Sequence, residues 1–110
     1  MTEGVAGFDW DDGNREKCCK HGVTLGEIES AFQSGVFRMF PDPAHSVSET
    51  RHLGIGQTAS GRYILVAFTY RELRTQRFIR PISARFMHAK EIKHYEEQIP
   101  DPGETASTPD

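Results

Sequence analysis

Tyr63-Ile64-Leu65-Val66-Ala67-Phe68 is a continuous apolar run of strand length, and its placement decides how the rest of the chain is arranged. A run without polar alternation predicts a central strand covered on both faces. Before it, Thr58-Ala59-Ser60-Gly61 reads as a four-residue hairpin loop, preceded by a strand from Thr50 to Gln57. In that strand Arg51, Leu53 and Ile55 share one face, and His52, Gly54 and Gly56 share the other, where the glycines predict close packing. After the apolar run, Tyr70 to Thr75 reads as a charged turn and Gln76 to Arg85 as the last strand. Further out, Val36 to Phe40 is a strand closed by Pro41-Asp42-Pro43, and Phe8-Asp9-Trp10 is a short edge strand.

The helices flank these strands. Asp11 or Asp12 caps a helix that runs to about His21, where Gly22 supplies a left-handed stop. Thr24-Leu25-Gly26-Glu27 is a capping box, with Val23 and Ile28 as its hydrophobic staple. Leu25, Ile28 and Phe32 recur at helical spacing, and Gly35 ends that helix. A final helix from about Met87 to Gln98 carries Ile92, Tyr95 and Ile99 as its apolar stripe. The order β-α-α-β-β-β-β-α with short turns predicts an α+β domain with an antiparallel sheet of four to five strands, two N-terminal helices and one C-terminal helix.

A chain of 110 residues holds one core. The expected division is a flexible N-terminus at 1–7, the domain at 8–99 and a disordered acidic tail at 100–110. Neither a membrane span nor a secretory signal is visible, and adjacent Cys18 and Cys19 suit a reducing setting, so a cytoplasmic protein is expected. Structural zinc uses separated ligand pairs, and Cys18, Cys19 and His21 form one trio without a fourth ligand. No metal or other cofactor is expected.

The net charge of −3 conceals an asymmetry. Residues 1–50 hold nine acids against four bases, a net of −5, and residues 96–110 hold five acids and no base. Residues 51–95 hold nine bases against Glu72 and Glu91 alone, a net of +7. A basic centre between acidic ends points to an anionic partner such as RNA. Its focus is Arg80-Pro81-Ile82-Ser83-Ala84-Arg85, where two guanidinium groups lie on a predicted core strand. In a regular strand a five-residue separation sends Arg80 and Arg85 to opposite faces, whereas a one-residue bulge at Pro81 brings both to the same face. The sequence leaves both arrangements open.

Taken in order, Phe8-Asp9-Trp10-Asp11, Lys20-His21-Gly22-Val23, His45-Ser46 with Glu49 and Arg51, Ile55-Gly56, Thr69 with Arg71, and Ile82-Ser83-Ala84-Arg85 with Glu91 and Tyr95 resemble the BrnT family of type II toxins. The resemblance spans roughly residues 8–97. It implies a RelE-like fold, ribonuclease activity and a BrnA-type antitoxin carrying a ribbon-helix-helix DNA-binding domain. It also implies a toxin dimer within the complex, and operator DNA bound only through the antitoxin.

A ribonuclease that uses the RNA's own 2′-hydroxyl must hold the phosphate, stabilise charge on its oxygens and move protons at two oxygens. Arg80 and Arg85 lead as phosphate ligands, joined by Arg51, while Lys20 stands beside His21. His21 and His45 are candidate proton carriers because imidazole titrates near neutrality. Glu49 shares a face with Arg51 and is expected to pair with it. Arg71, Arg77 and Lys90 are candidate RNA-binding cations. Each has a structural counterpart, such as a surface ion pair, a helix-end cap or a solvated lysine. Two activities therefore compete: a toxic endoribonuclease, and a non-toxic subunit acting only as co-repressor with its antitoxin. A metabolite enzyme is disfavoured because no Gly-rich phosphate loop joins a strand to a helix.

Overall fold

The computed structural model describes residues 4–46 and 48–98. The expected acidic tail, Ile99 and the first three residues lie outside that range. Among the described residues the elements are β1 (Gly7–Phe8), α1 (Asp12–Cys19), α2 (Leu25–Phe32), β2 (Arg38–Pro41), a 3-10 turn (Pro43–His45), β3 (His52–Gln57), β4 (Tyr63–Leu73), β5 (Gln76–Phe86) and α3 (Ala89–Gln98). The five strands form one sheet in the order β1-β5-β4-β3-β2. The fold is the α+β arrangement expected, with two helices before the main sheet and one after it. One pairing differs: β1 runs parallel to β5, so the sheet is mixed.

Both N-terminal helices start on capping boxes. Asp11 accepts from the Asn14 backbone N–H while Asn14 Oδ1 accepts from the Asp11 N–H, and Thr24 and Glu27 make the equivalent exchange for α2. Gly22, at φ +89°, turns the chain between them. Val23 and Ile28, the predicted staple, are both buried.

The core lies between α2 and one face of β3, β4 and β5. Ile64, Val66 and Phe68 of β4 are fully buried there with Ile28, Phe32 and Ile79, each worth about 1.5–3 kcal/mol relative to exposure. The prediction that β4 is covered on both faces is corrected: Tyr63, Leu65 and Ala67 remain only half-buried. Their face is covered in part by α3, where Tyr95 packs edge-on against Phe40 and Tyr63. We call this second surface the open face.

Gly54 and Gly56 point toward the core. A Cβ at Gly54 would strike the Phe37 ring, and one at Gly56 would strike the Ala31 backbone carbonyl of α2. These glycines let the helix approach the sheet closely, as the sequence predicts.

The stretch expected as a charged turn is instead strand. β4 runs on to Leu73 and pairs with β5 as far as Gln76, with Arg74 and Thr75 alone forming the turn at φ 54° and 67°. Two positive φ values define a type I′ hairpin, normally signalled by Asn-Gly. The charged residues before it are tolerated because this part of the ribbon is solvent-exposed.

Pro81 lies at the irregularity that the sequence left open. Ala67 pairs with Ser83 but the next residue, Phe68, pairs with Pro81, so Ile82 is an extra residue in β5. Arg80 opposite Thr69 and Arg85 opposite Leu65 therefore share the open face. Asn14 fixes this site, its buried Nδ2 donating to the Pro81 carbonyl at 2.8 Å and to the Asp9 carbonyl at 2.9 Å.

Gly56→Ala is expected to destabilise the protein by about 1–3 kcal/mol, and more than Gly54→Ala, because a backbone carbonyl yields less than a ring. Chemical denaturation ranks the two. Conversely, Arg74→Asn with Thr75→Gly relieves two unfavourable φ values and raises stability by about 1 kcal/mol in the same measurement.

Candidate functional site

The open face carries alternate residues of each strand: Leu53 and Ile55 from β3, Leu65, Ala67 and Thr69 from β4, and Arg80, Ser83 and Arg85 from β5. Its centre is apolar and its β5 edge carries two arginines, each met by carboxylates. A cavity of about 260 Å³ opens there, lined by His21, Leu53, Leu65, Ala67, Ser83 and Arg85. His21 reaches it because α1 packs against β5 beyond the end of β1, with Cys18 in the core and His21 just past the helix. Burial, with Cys19 adjacent, pushes the Cys18 thiol up to about 12, so it stays protonated. Cys19 is exposed.

The two leading arginines differ in what holds them. Arg80 donates through Nη1 to Asp9 Oδ2 at 3.2 Å and through Nη2 to Asp11 Oδ2 at 2.8 Å, with 18% of its side chain exposed. Partial burial pulls its pKa down, but Asp11 and Asp9 outweigh that, and the net shift is upward. The Asn14 N–H bond, followed by Arg80, holds the Asp11 carboxyl below its usual range. Two carboxylates around one guanidinium leave the cluster net negative, which suits a brace between β5 and the start of α1.

Arg85 is twice as exposed, at 36%, and meets a single carboxylate. Its Nη1 and Nη2 donate to Glu91 Oε1 and Oε2 at 2.8 and 2.7 Å, an end-on bidentate pair. Among the described residues Nε–H and the second Nη2 hydrogen have no partner and form a side-on fork, the shape that matches two oxygens of a phosphate. Glu91 also accepts from the His88 N–H, so one carboxylate both caps α3 and orients Arg85. The Arg85 hydrogen bonds, helped by that N–H against a desolvation penalty, lower the Glu91 pKa from 4.5 to about 2.

The remaining candidates are dispersed. Arg51 precedes β3 at the end of the sheet nearest Thr69, and its carbonyl accepts from the Asp42 N–H. The expected Glu49–Arg51 pair is not formed: Glu49 lies 3.9 Å from Arg71 instead, a long and half-exposed contact. His45 is exposed in the 3-10 turn with Nδ1 3.1 Å from Asp42 Oδ1, and it does not line the cavity. Arg77 lies over the Tyr70 ring at 3.8 Å, on the face opposite Arg80 and Arg85. Lys20 and Lys90 are exposed at the end of α1 and the start of α3. Of the candidates, only His21 and Arg85 line the cavity together.

Asn14, Asp9, Asp11 and Ser83 contribute to this surface without having been singled out as site residues. Asn14 had a legible signal: it occupies the third helical position of α1 after a capping Asp, where Glu or Gln is usual. Asp9 and Asp11 stand out in the sequence only as a short motif and a helix cap; their pairing with Arg80 has no local signal, since it spans 71 and 69 residues.

The open sheet face carries arginines at its β5 edge, and His21 reaches the apolar cavity beside them from the end of α1, in a small α+β domain. The family described as "Ribonuclease toxin, BrnT, of type II toxin-antitoxin system" matches residues 10–91, and the chain belongs to that family. A protein antitoxin is therefore its expected kind of partner. No match was found among curated proteins. Among the described residues, no helix is long and apolar enough to cross a membrane.

Glu91→Gln tests the Arg85–Glu91 link. Because the folded pKa lies below the unfolded one, the link's contribution is fully present above pH 4.5 and is lost as pH falls toward about 2. The difference in thermal midpoint between wild type and Glu91→Gln should be largest above pH 4.5 and close as the solution is acidified. A pH-independent difference would contradict it.

Proposed function

We propose that this chain is a cytoplasmic endoribonuclease toxin that cleaves RNA without a metal ion and is neutralised by a BrnA-like ribbon-helix-helix antitoxin. The observation that carries the reading is the β5 bulge, which sets Arg85 on the open face with its side-on fork unpartnered among the described residues and His21 across the same cavity. In this reading Arg85 holds the non-bridging oxygens of the scissile phosphate, pre-oriented by Glu91. Fixed donors of this kind act on charge that grows in the transition state, and losing one typically costs about 10²–10³ in rate.

The 2′-hydroxyl oxygen attacks the adjacent phosphorus, its proton passes to a base, and the 5′-oxygen leaves with a proton from an acid. The products are a 2′,3′-cyclic phosphate and a 5′-hydroxyl. His21 is the proposed proton carrier, with Lys20 beside it as a phosphate contact. Arg51, Arg71 and Lys90 extend the cationic track for neighbouring phosphates, and Arg80 braces α1 so that His21 meets Arg85. His45 and Glu49 lie toward the Arg51 end, where they serve the track rather than the cavity. Within the antitoxin complex the toxin dimerises, and operator DNA is reached through the antitoxin alone.

One observation favours a second reading, the non-toxic co-repressor subunit. Both leading arginines already carry carboxylate partners, as structural arginines do.

Expression of the chain alone should arrest bacterial growth, and Arg85→Ala should restore it. The purified, antitoxin-free protein should cut RNA equally well in excess EDTA and leave cyclic-phosphate ends, with Arg85→Ala slower by about 10²-fold or more. Soluble wild-type protein that neither arrests growth nor cuts RNA would favour the co-repressor. Activity abolished by EDTA would remove the metal-free mechanism.

A further inference from the structure

The cavity on the open face contains more than phosphate chemistry requires. Leu53, Leu65 and Ala67 form an aliphatic floor from adjacent strands, and they stay half-buried although β4 is central. A phosphate gains nothing from such a floor. Around it stand a guanidinium plane, an imidazole and the Ser83 hydroxyl. The volume of about 260 Å³ is just below the range of about 300–1,000 Å³ typical of drug-sized ligands, so it suits a single flat ring system. Single-stranded RNA offers such a group in each unstacked base, and proteins hold bases on apolar or aromatic surfaces and on Arg or His planes.

We propose that this cavity is a nucleobase slot, which takes one unpaired RNA base next to the phosphate held by Arg85. The proposal rests on the ribonuclease reading and adds a recognition element to it. The base lies over Leu53, Leu65 and Ala67, its ring faces meet the floor and the His21 side, and Ser83 meets a polar edge. A double-stranded RNA cannot supply the base without unpairing it, so the slot selects single-stranded or looped substrate. Glu91 contributes indirectly, because a fixed Arg85 plane makes one wall of the slot rigid.

The test uses purified, antitoxin-free full-length chain and a short single-stranded RNA made uncleavable by 2′-O-methyl groups. A single abasic position is walked along it. Wild-type protein should bind about tenfold more weakly when one particular position is abasic, and hardly differently elsewhere. Ala67→Leu fills the slot; it should bind the intact RNA about tenfold more weakly and lose the abasic penalty altogether. Ser83→Leu fills it from an exposed position and guards against a folding defect at residue 67. Equal abasic penalties in wild type and both variants would overturn the slot, even if the chain cleaves ordinary RNA. A position-specific penalty in a chain that never cleaves RNA would uphold the slot and overturn the ribonuclease reading. Filling variants that keep the penalty but lose antitoxin binding would assign the cavity to the protein partner and overturn the proposal.

Discussion

One extra residue in a strand governs this surface. Ile82 has no partner on β4, and its insertion resets the alternation of side chains so that Arg80 and Arg85 emerge on the same face. Proline next to the bulge has no N–H to leave unsatisfied, and its carbonyl is taken by the Asn14 side chain from α1. The same amide reaches the Asp9 carbonyl, and its oxygen caps Asp11. A single buried asparagine thus joins β1, the start of α1 and the bulge. The pairing of two arginines on one face depends on that joint, because a regular β5 would send one of them to the core side packed against α2.

The ion pairs built on this frame divide the work. Arg80, held by Asp9 and Asp11, ties the start of α1 to the sheet. Arg85, held by Glu91, ties α3 to the sheet, and among the described residues its Nε–H has no partner. Tyr95 adds aromatic packing to the α3 side, although its hydroxyl is buried without a hydrogen-bond partner among the described residues. The outcome is a face with an aliphatic centre, charged edges and a helix at each side.

Much of this architecture was legible because local chemistry agreed with the global fold. The capping box at Thr24–Glu27, the stop at Gly22, and the close packing at Gly54 and Gly56 are short-range signals, and each is realised. The errors came where tertiary context decides. The charge of Tyr70 to Thr75 suggests a turn, yet a solvent-exposed ribbon accepts charge on both sides, and Arg74-Thr75 is an atypical sequence for a type I′ turn. A shared strand face suggests a Glu49–Arg51 pair, but Arg71 from β4 lies within reach of Glu49 instead. At the site, Arg85 meets Glu91 only six residues on, whereas the carboxylates that claim Arg80 come from the other end of the chain.

The central claim is that RNA phosphate meets the Arg85 face of the sheet and not its opposite side. The most direct measurement compares Arg85→Ala with Arg77→Ala in binding and cleavage of single-stranded RNA by the antitoxin-free protein, since Arg77 lies over Tyr70 on the opposite face. The account predicts that Arg85→Ala loses binding and cleavage while Arg77→Ala stays close to wild type. Equal losses in the two variants, or a loss confined to Arg77→Ala, would contradict it.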